Sequence, residues 1–374
     1  MRTIFRDDHE MFRDQVRRFI EKEIVPHHDR WEAEGIVPKE LWRKAGAEGL
    51  LCVTIPEEYG GPGGDFGHSA VLIEELARAN ATAVGFTTHS DITVPYILAY
   101  GSEEQKHAWL PRMARGELIA AIGMSEPGTG SDLRAMRTNA VRDGDHYVVN
   151  GQKTFITNGM NAGLVVTAAK LASDRKDLTL LCVEEGMAGF AKGRKLEKIG
   201  LKGQDTCELF YDGVRVPAAN RLGEENEGFQ YLTHQLAKER LIIAIRAAAS
   251  IEALLDETVA YTRDRKAFGK PVFDFQNTRF KLAEVKANAT MLRVFVDHCL
   301  GLLLNGELTA DRAAMAKLLG AEMQNRLLDE MLQLHGGYGF MSEYKISRAW
   351  VDARVARIYG GTSEIMKEII SRTL

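Results

Sequence analysis

The chain has 374 residues, 45% hydrophobic and 27% charged, with a net charge of −4 at pH 7. That composition is globular and sufficient for two or three packed domains, and its acidic balance, without a long basic run, argues against a nucleic-acid partner. Apolar runs fall far short of the ~20 residues of a membrane span. The charged start, MRTIFRDDHEMFRDQ, lacks a secretory signal pattern, so a cytoplasmic protein is expected. Cys52, Cys182, Cys207 and Cys299 form no CxxC pair and read as reduced.

Residues 1–120 read as helices. Met11, Phe12, Val16, Phe19, Ile20 and Ile24 recur at helical spacing until Pro26, and a second helix follows Pro38. PEEYGGPGGDFG at 56–67 is too glycine-rich for a helix and lacks GxGxxG spacing, so it reads as a tight loop. Helices resume at 69–80, 90–100 and 102–115. Residues 121–227 alternate β-prone runs (HYVVNG, KTFITNG, LVVTAAK, LTLLCVEE, CELFYDGVRVP) with turn signals at Asn150-Gly151, Asn158-Gly159 and Asp212-Gly213. This is an expected antiparallel β-domain. Residues 228–374 are helical again, at 229–262, 275–304, 309–335, 343–353 and from Ser363. The breaks are KAFGKP (266–271), LHGGYGF (334–340) and YGGTSE (359–364). An α–β–α chain of class α+β follows, with domains 1–120, 121–227 and 228–374.

Several chemistries are disfavoured. His27 and His28 are adjacent and cannot share a helix face; they read as surface residues, and no HExxH zinc motif occurs. There is no GxSxG and no P-loop, and Leu133 replaces the third glycine of a would-be dinucleotide fingerprint at Gly128-Thr129-Gly130. What remains is a pair of backbone-donor loops: 124–132, whose small residues let N–H groups approach a polar ring or phosphate, and 155–159, which ends a strand with an aromatic face followed by a hydroxyl. One carboxylate also stands out. At about 100° per residue, Leu232, Leu236, Ile243 and Leu254 form one stripe of the helix 229–262, and Glu239 projects into it. A carboxylate there is costly. Either it pairs with Arg240, Arg246 or a neighbouring element, or burial raises its pKa into the range of a base.

Six motifs in this order, MSEPGTGSD (124–132), KTFITNG (153–159), RKAFGKP (265–271) with Gln276, QLHGGYGF (333–340), DAR (352–354) and IYGGTSEI (358–365), resemble the acyl-CoA dehydrogenase family along essentially the whole chain. The likeness is nearest to the long-chain branch. It implies an N-terminal helical domain, a middle antiparallel β-domain and a C-terminal four-helix bundle. It also implies FAD, a fatty acyl-CoA substrate oxidised to the trans-2-enoyl-CoA, electron-transfer flavoprotein as acceptor, and a homotetramer. An acyl-CoA oxidase, or a non-catalytic flavin or acyl-CoA binding protein, is the alternative.

The resemblance carries roles residue by residue. Ile122, Met124, Ser125, Gly130 and Ser131 would line the flavin, with Ser131 also meeting the CoA arm. Phe155 would pack on the ring, where many relatives have Trp, Thr157 would bring a hydroxyl near flavin N5, and Ile156 between them would also meet the cofactor. Arg265, Phe268 and Gln276 would reach FAD of a neighbouring subunit, with Gln333, His335, Gly336 and Gly337 beside its adenosine part. Thr362 and Glu364 would complete the flavin site, and Arg240, Tyr359, Gly360 and Gly361 would meet the substrate. The main departure is Gly360, where many relatives carry the catalytic Glu of a YEGT motif. Long-chain and isovaleryl enzymes place the base in a helical Glu-Arg pair, here Glu239-Arg240; Glu364 is the rival. Ala237 replaces an Asp of many relatives, which leaves one CoA-adenine contact in doubt.

Overall fold

The computed structural model describes residues 2–171 and 177–374. The N-terminal helices are α1 (Asp7–Phe19), α2 (His28–Glu34), α3 (Lys39–Ala47), α4 (Phe66–Arg78), α5 (Val94–Tyr100) and α6 (Glu103–Ala114). The loop at 56–67 ends at Asp65, whose carboxylate accepts the Gly67 and His68 N–H groups and starts α4. Arg6 and His9 of the α1 start bind the same carboxylate, so one cap ties two helices together.

The β-region holds β1 (Ala120–Gly123), β2 (Asn139–Asp143), β3 (His146–Thr157), β4 (Leu164–Ala169), β5 (Thr179–Glu184), β6 (Phe190–Lys195), β7 (Thr206–Pro217) and β8 (Arg221–Leu222). They form two sheets, ordered β1-β4-β5-β8 and β2-β3-β7-β6, and only β1 with β4 is parallel. Strand β4 is buried throughout. Its alternation sends Val165 and Ala169 into the core between the sheets, and Leu164 and Val166 against the N-terminal helices.

Two expected turns are bulges instead. Asn150-Gly151 lies inside β3 and Asp212-Gly213 inside β7, where the two strands shift register past Val149 and Gly151. Glycines at positive φ, Gly151 at 152° and Gly213 at 61°, absorb the extra residue without breaking the ladder.

Helices α7 (Gly228–Asp264), α8 (Gln276–Leu304), α9 (Ala310–His335), α10 (Lys345–Ala353) and α11 (Ser363–Ser371) build the last region, with a two-strand turn, β9 (Lys266–Ala267) and β10 (Lys270–Pro271), after α7. Helix α7 is buried on most sides around Leu241–Ile251 and packs on α4, α8 and α9. By length and composition α8 is apolar enough to cross a bilayer. Its Arg293, however, is buried among Glu74 of α4 and Glu252 of α7, which makes α8 a packed helix of this bundle. Glu74 also accepts from Arg13 of α1, so one buried carboxylate joins three helices.

Candidate active site

Glu239 lies on the buried middle of α7 and is 5% exposed. Its one side-chain hydrogen bond comes from Tyr96 of α5, whose hydroxyl donates to Oε1 at 2.9 Å. Among the described residues Glu239 makes no ion pair with Arg240, Arg246 or any other cation. Burial pushes its carboxyl up to about 7, against the opposing pull of the Tyr96 hydroxyl and the charges of Lys238 and Arg240. Behind Lys238 sits Asp91, buried on the π-helical turn Thr88–Thr93 and itself pushed up to about 6 by burial. The rival Glu364 is exposed in the first turn of α11. Its own backbone N–H and the Thr362 hydroxyl hold it below the ordinary carboxylate range.

Gly360 packs against the same face of α7. Ile243 is one turn beyond Glu239, and a Cβ built at Gly360 would fall 2.5 Å from Ile243 Cδ1. Gly360 and Gly361 have φ of 64° and 95°. Neither N–H has a partner among the described residues, so this turn presents two free donors beside the carboxylate. Arg240, buried next to Glu239, reaches back with Nε 3.5 Å from the Gly360 carbonyl, and Arg246 reaches the Tyr359 hydroxyl at 3.5 Å. The expected apolar stripe is only partly covered. Leu232 and Leu254 are buried, whereas Leu236 and Ile243 stay half-open on either side of Glu239.

The loop 124–132 lies near the start of α7, where Met124, Leu133 and Phe229 pack on one cluster. Its base is fixed by Lys153 of β3. This fully buried ammonium donates to the Met124 carbonyl at 3.1 Å and to Glu126 at 2.9 Å, while Glu126 accepts the Arg137 and Thr138 N–H groups. Above this brace Ser125, Gly130 and Ser131 remain accessible, and a Cβ at Gly128 or Gly130 meets nothing within 4 Å. Ile122 is half-buried on β1 and Thr157 at the end of β3. Ile156 points into the core between the sheets. Phe155 points out: it is 70% exposed and held at φ 60°, which for an aromatic residue is backbone strain of the kind concentrated at ligand sites.

Arg265, Phe268 and Gln276 gather at the far end of α7, with Gln333 in the last turn of α9 and Gly336 and Gly337 just after it. Arg265 lies over the Tyr338 ring at 5.6 Å. Phe268 is 97% exposed at φ 52°. His335 turns inward instead. Its ring stacks on Tyr261 at 4.2 Å, meets Thr258 at 3.2 Å and is kept neutral by burial, with its pKa down to about 4. This group and Glu239 belong to one straight element. At ~1.5 Å per residue, Arg265 lies roughly 39 Å along α7 from Glu239. The two groups of loop residues are therefore well separated along one chain.

Histidine placement departs from expectation. His28 is buried and accepts the Ala83 N–H at 3.3 Å. It approaches Asp29 and Glu32, but Arg348 already pairs with both carboxylates. Tyr96 and the buried lysines escaped the sequence reading. PYILAY reads as plain helix, and a lysine within a helical run reads as solvated.

The open rims beside Gly128, Gly130, Gly336 and Gly337 and the exposed aromatics Phe155 and Phe268 fit a large planar cofactor with a polyphosphate arm. Residues 6–117, 121–214 and 226–374 match the N-terminal, middle and C-terminal domains of acyl-CoA dehydrogenase. The chain is 50% identical over 378 residues to the mitochondrial long-chain specific acyl-CoA dehydrogenase of Sus scrofa, covering 100% of this chain and 88% of that protein. An acyl-CoA dehydrogenase from Geobacillus kaustophilus superposes with a TM-score of 0.98 at 47% identity, covering 100% of this chain and 99% of that one. A Bacillus anthracis acyl-CoA dehydrogenase solved with FAD gives 0.94 at 31% identity, covering 99% of this chain and 67% of that one. By these matches, and by a fold that runs through all three regions, the chain belongs to the acyl-CoA dehydrogenase family.

Proposed function

We propose that this enzyme dehydrogenates a long-chain or branched fatty acyl-CoA to the trans-2-enoyl-CoA, with Glu239 as the base. One observation carries the assignment: a buried carboxylate with no counter-ion among the described residues, its pKa raised to about 7, near a turn whose two N–H groups have no partner among them. A base poised near the working pH combines correct ionisation with proton affinity. FAD, when bound, supplies the acceptor for the hydride that leaves Cβ. Glu239 takes the Cα proton, and Tyr96 holds Oε1 so that the other oxygen stays available. The Gly360 N–H donates to the thioester carbonyl, where such a donor is worth about 3–4 kcal/mol. Gly360 retains that N–H although it lacks the carboxylate of a YEGT motif.

The flavin residues are assigned to two cradles. Ile122, Met124, Ser125, Gly130, Ser131, Phe155, Thr157, Thr362 and Glu364 serve FAD beside Glu239 of the same chain, with Ile156, whose side chain is in the core, contributing only backbone. Arg265, Phe268, Gln276, Gln333, Gly336 and Gly337 serve the cofactor of a second copy, with the inward-turned His335 shaping their loop from below. The distance along α7 supports this division, as do the exposed Phe268 and the exposed Phe280, Met291 and Val294 of α8, which leave apolar surface for another subunit. A homotetramer is the proposed assembly and electron-transfer flavoprotein the proposed acceptor.

The test is anaerobic mixing of the purified protein with palmitoyl-CoA and isovaleryl-CoA, following flavin absorbance. Bleaching is the expected result, and fast bleaching by palmitoyl-CoA but not isovaleryl-CoA would identify a long-chain substrate. Bleaching only by short branched thioesters moves the substrate to that class, and no bleaching by any acyl-CoA contradicts the dehydrogenase reading.

A further inference from the structure

Lys317 of α9 is fully buried, and its single hydrogen bond among the described residues runs from Nζ to the carbonyl of Gly361 at 2.6 Å. An ammonium has three donors and is strongly hydrated in water, so this placement is costly. The cost rises because the Arg240 guanidinium is close. Burial and that second cation push the Lys317 pKa down to about 8. A methionine of similar length would fill the same channel without a charge.

The turn it holds explains the expense. Gly360 and Gly361 are consecutive glycines, both at positive φ, and neither has a side chain of its own to narrow its backbone freedom. Left alone, such a turn samples many orientations of its N–H groups. Helix α9 clamps it from two sides. Lys317 holds the Gly361 carbonyl, and Glu322, little more than a turn along α9, accepts from the Ser363 hydroxyl at 2.6 Å and from Arg357 at 2.8 Å. Arg240 approaches the Gly360 carbonyl from α7 at the longer distance of 3.5 Å. The shortest of these bonds to the turn's own backbone is that of Lys317.

We propose that Lys317 is a positioning residue, which fixes the Gly360-Gly361 turn so that the Gly360 N–H stays aimed at the substrate carbonyl. The proposal rests on the dehydrogenase reading above. Lys317 touches neither substrate nor cofactor; it acts through a backbone carbonyl. Its loss lowers the polarisation of the thioester without removing the base.

The test uses the FAD-loaded enzyme and the K317M variant, with K317R to restore charge and donor. The probe is 4-(dimethylamino)cinnamoyl-CoA, a chromophoric enoyl thioester whose absorption moves to the red as its carbonyl accepts hydrogen bonds. K317M is expected to keep FAD and to bind the probe within about threefold of wild type, yet to lose most of the red shift. Its anaerobic flavin reduction by palmitoyl-CoA should slow by roughly 100-fold, the effect of one lost oxyanion donor. K317R should recover part of both. Should K317M fail to fold, K317L, which is neutral and has no donor, is read in the same way. A full red shift and wild-type reduction in K317M overturn the proposal. So does a loss of rate matched by equal loss of FAD or probe binding, or failure of both neutral variants to fold, since each makes Lys317 merely structural. Failure of the underlying reading looks different: the wild-type flavin is then not bleached by any acyl-CoA, or Glu239→Gln still supports bleaching.

Discussion

The two halves of helix α7 present opposite kinds of site. Around Glu239 the groups are enclosed and partnered inside one chain. Tyr96 holds the carboxylate, Arg240 and Lys317 hold the facing turn, and only Leu236 and Ile243 leave a gap on the helix face. Around Phe268, roughly 40 Å away, aromatic and basic side chains stand in water on a strained turn, with only ring contacts in their own chain, Arg265 over Tyr338 and Phe268 edge-on to Phe275. The first half is preorganised chemistry, in which burial itself tunes the reacting group. The second is an exposed, strained surface, which the proposed assembly would give to a second copy. A single polypeptide can display both because a 37-residue helix separates them.

The largest expected effect breaks the enclosed half. Glu239→Gln should retain FAD and bind acyl-CoA but reduce its flavin at least 1,000-fold more slowly than wild type; near-normal reduction would transfer the role to Glu364. Glu364→Gln, at an exposed position, should stay within about tenfold. The same Glu239 variant sharpens the energetic side. The folded carboxyl, near 7 against an ordinary 4.5, binds its proton more tightly than the unfolded chain does. The associated stability is whole below about pH 4.5 and is lost as pH rises through 7. At pH 8 the neutral Gln variant should therefore be more stable by at most about 3 kcal/mol, with the gap closing near pH 4.5. Denaturant melts at the two pH values measure this, and an equal gap at both would show that the carboxylate is not strained by burial.

Smaller effects follow at the margins. Gly360→Ala must adopt φ 64° and displace the flexible end of Ile243. Given ~1–2 kcal/mol for a left-handed residue, flavin reduction should fall roughly tenfold in stopped-flow traces. Tyr96→Phe removes the hydrogen bond that lowers the Glu239 pKa, so the midpoint of the rate–pH profile should move upwards, and an unmoved midpoint would show that the bond does not tune the base. Phe268→Ala acts on the open half alone. FAD should dissociate roughly fivefold more readily, with the rate–pH midpoint of the remaining holoenzyme unchanged. A changed midpoint would join the two halves that the structure keeps apart.

Much of this was legible in the chain. Glu239 is visible on a helical wheel because one carboxylate interrupts an apolar stripe, and the glycine-rich breaks mark the loops that bear the exposed residues. The partners were hidden. Tyr96 sits in an ordinary apolar helix, and its role depends on a contact 143 positions away in sequence. Lys317 and Lys153 belong to a type that is normally solvated, and only the fold reveals that each ends on a backbone carbonyl. Asn150-Gly151 and Asp212-Gly213 carry a turn signal that glycine-containing bulges share, so long strands were read as shorter ones. His28 looked solvated because sequence spacing says nothing of the Ala83 N–H that meets it.

The most direct measurement is the pH dependence of flavin reduction by palmitoyl-CoA under anaerobic, substrate-limited conditions, where the ionisation of the free enzyme is read. The base must be ionised to act, so the rate should be low at pH 5 and rise with a midpoint near 7, the value to which burial pushes Glu239. A profile already flat from pH 5 upwards would point to an exposed carboxylate of low pKa, such as Glu364, and would contradict the assignment.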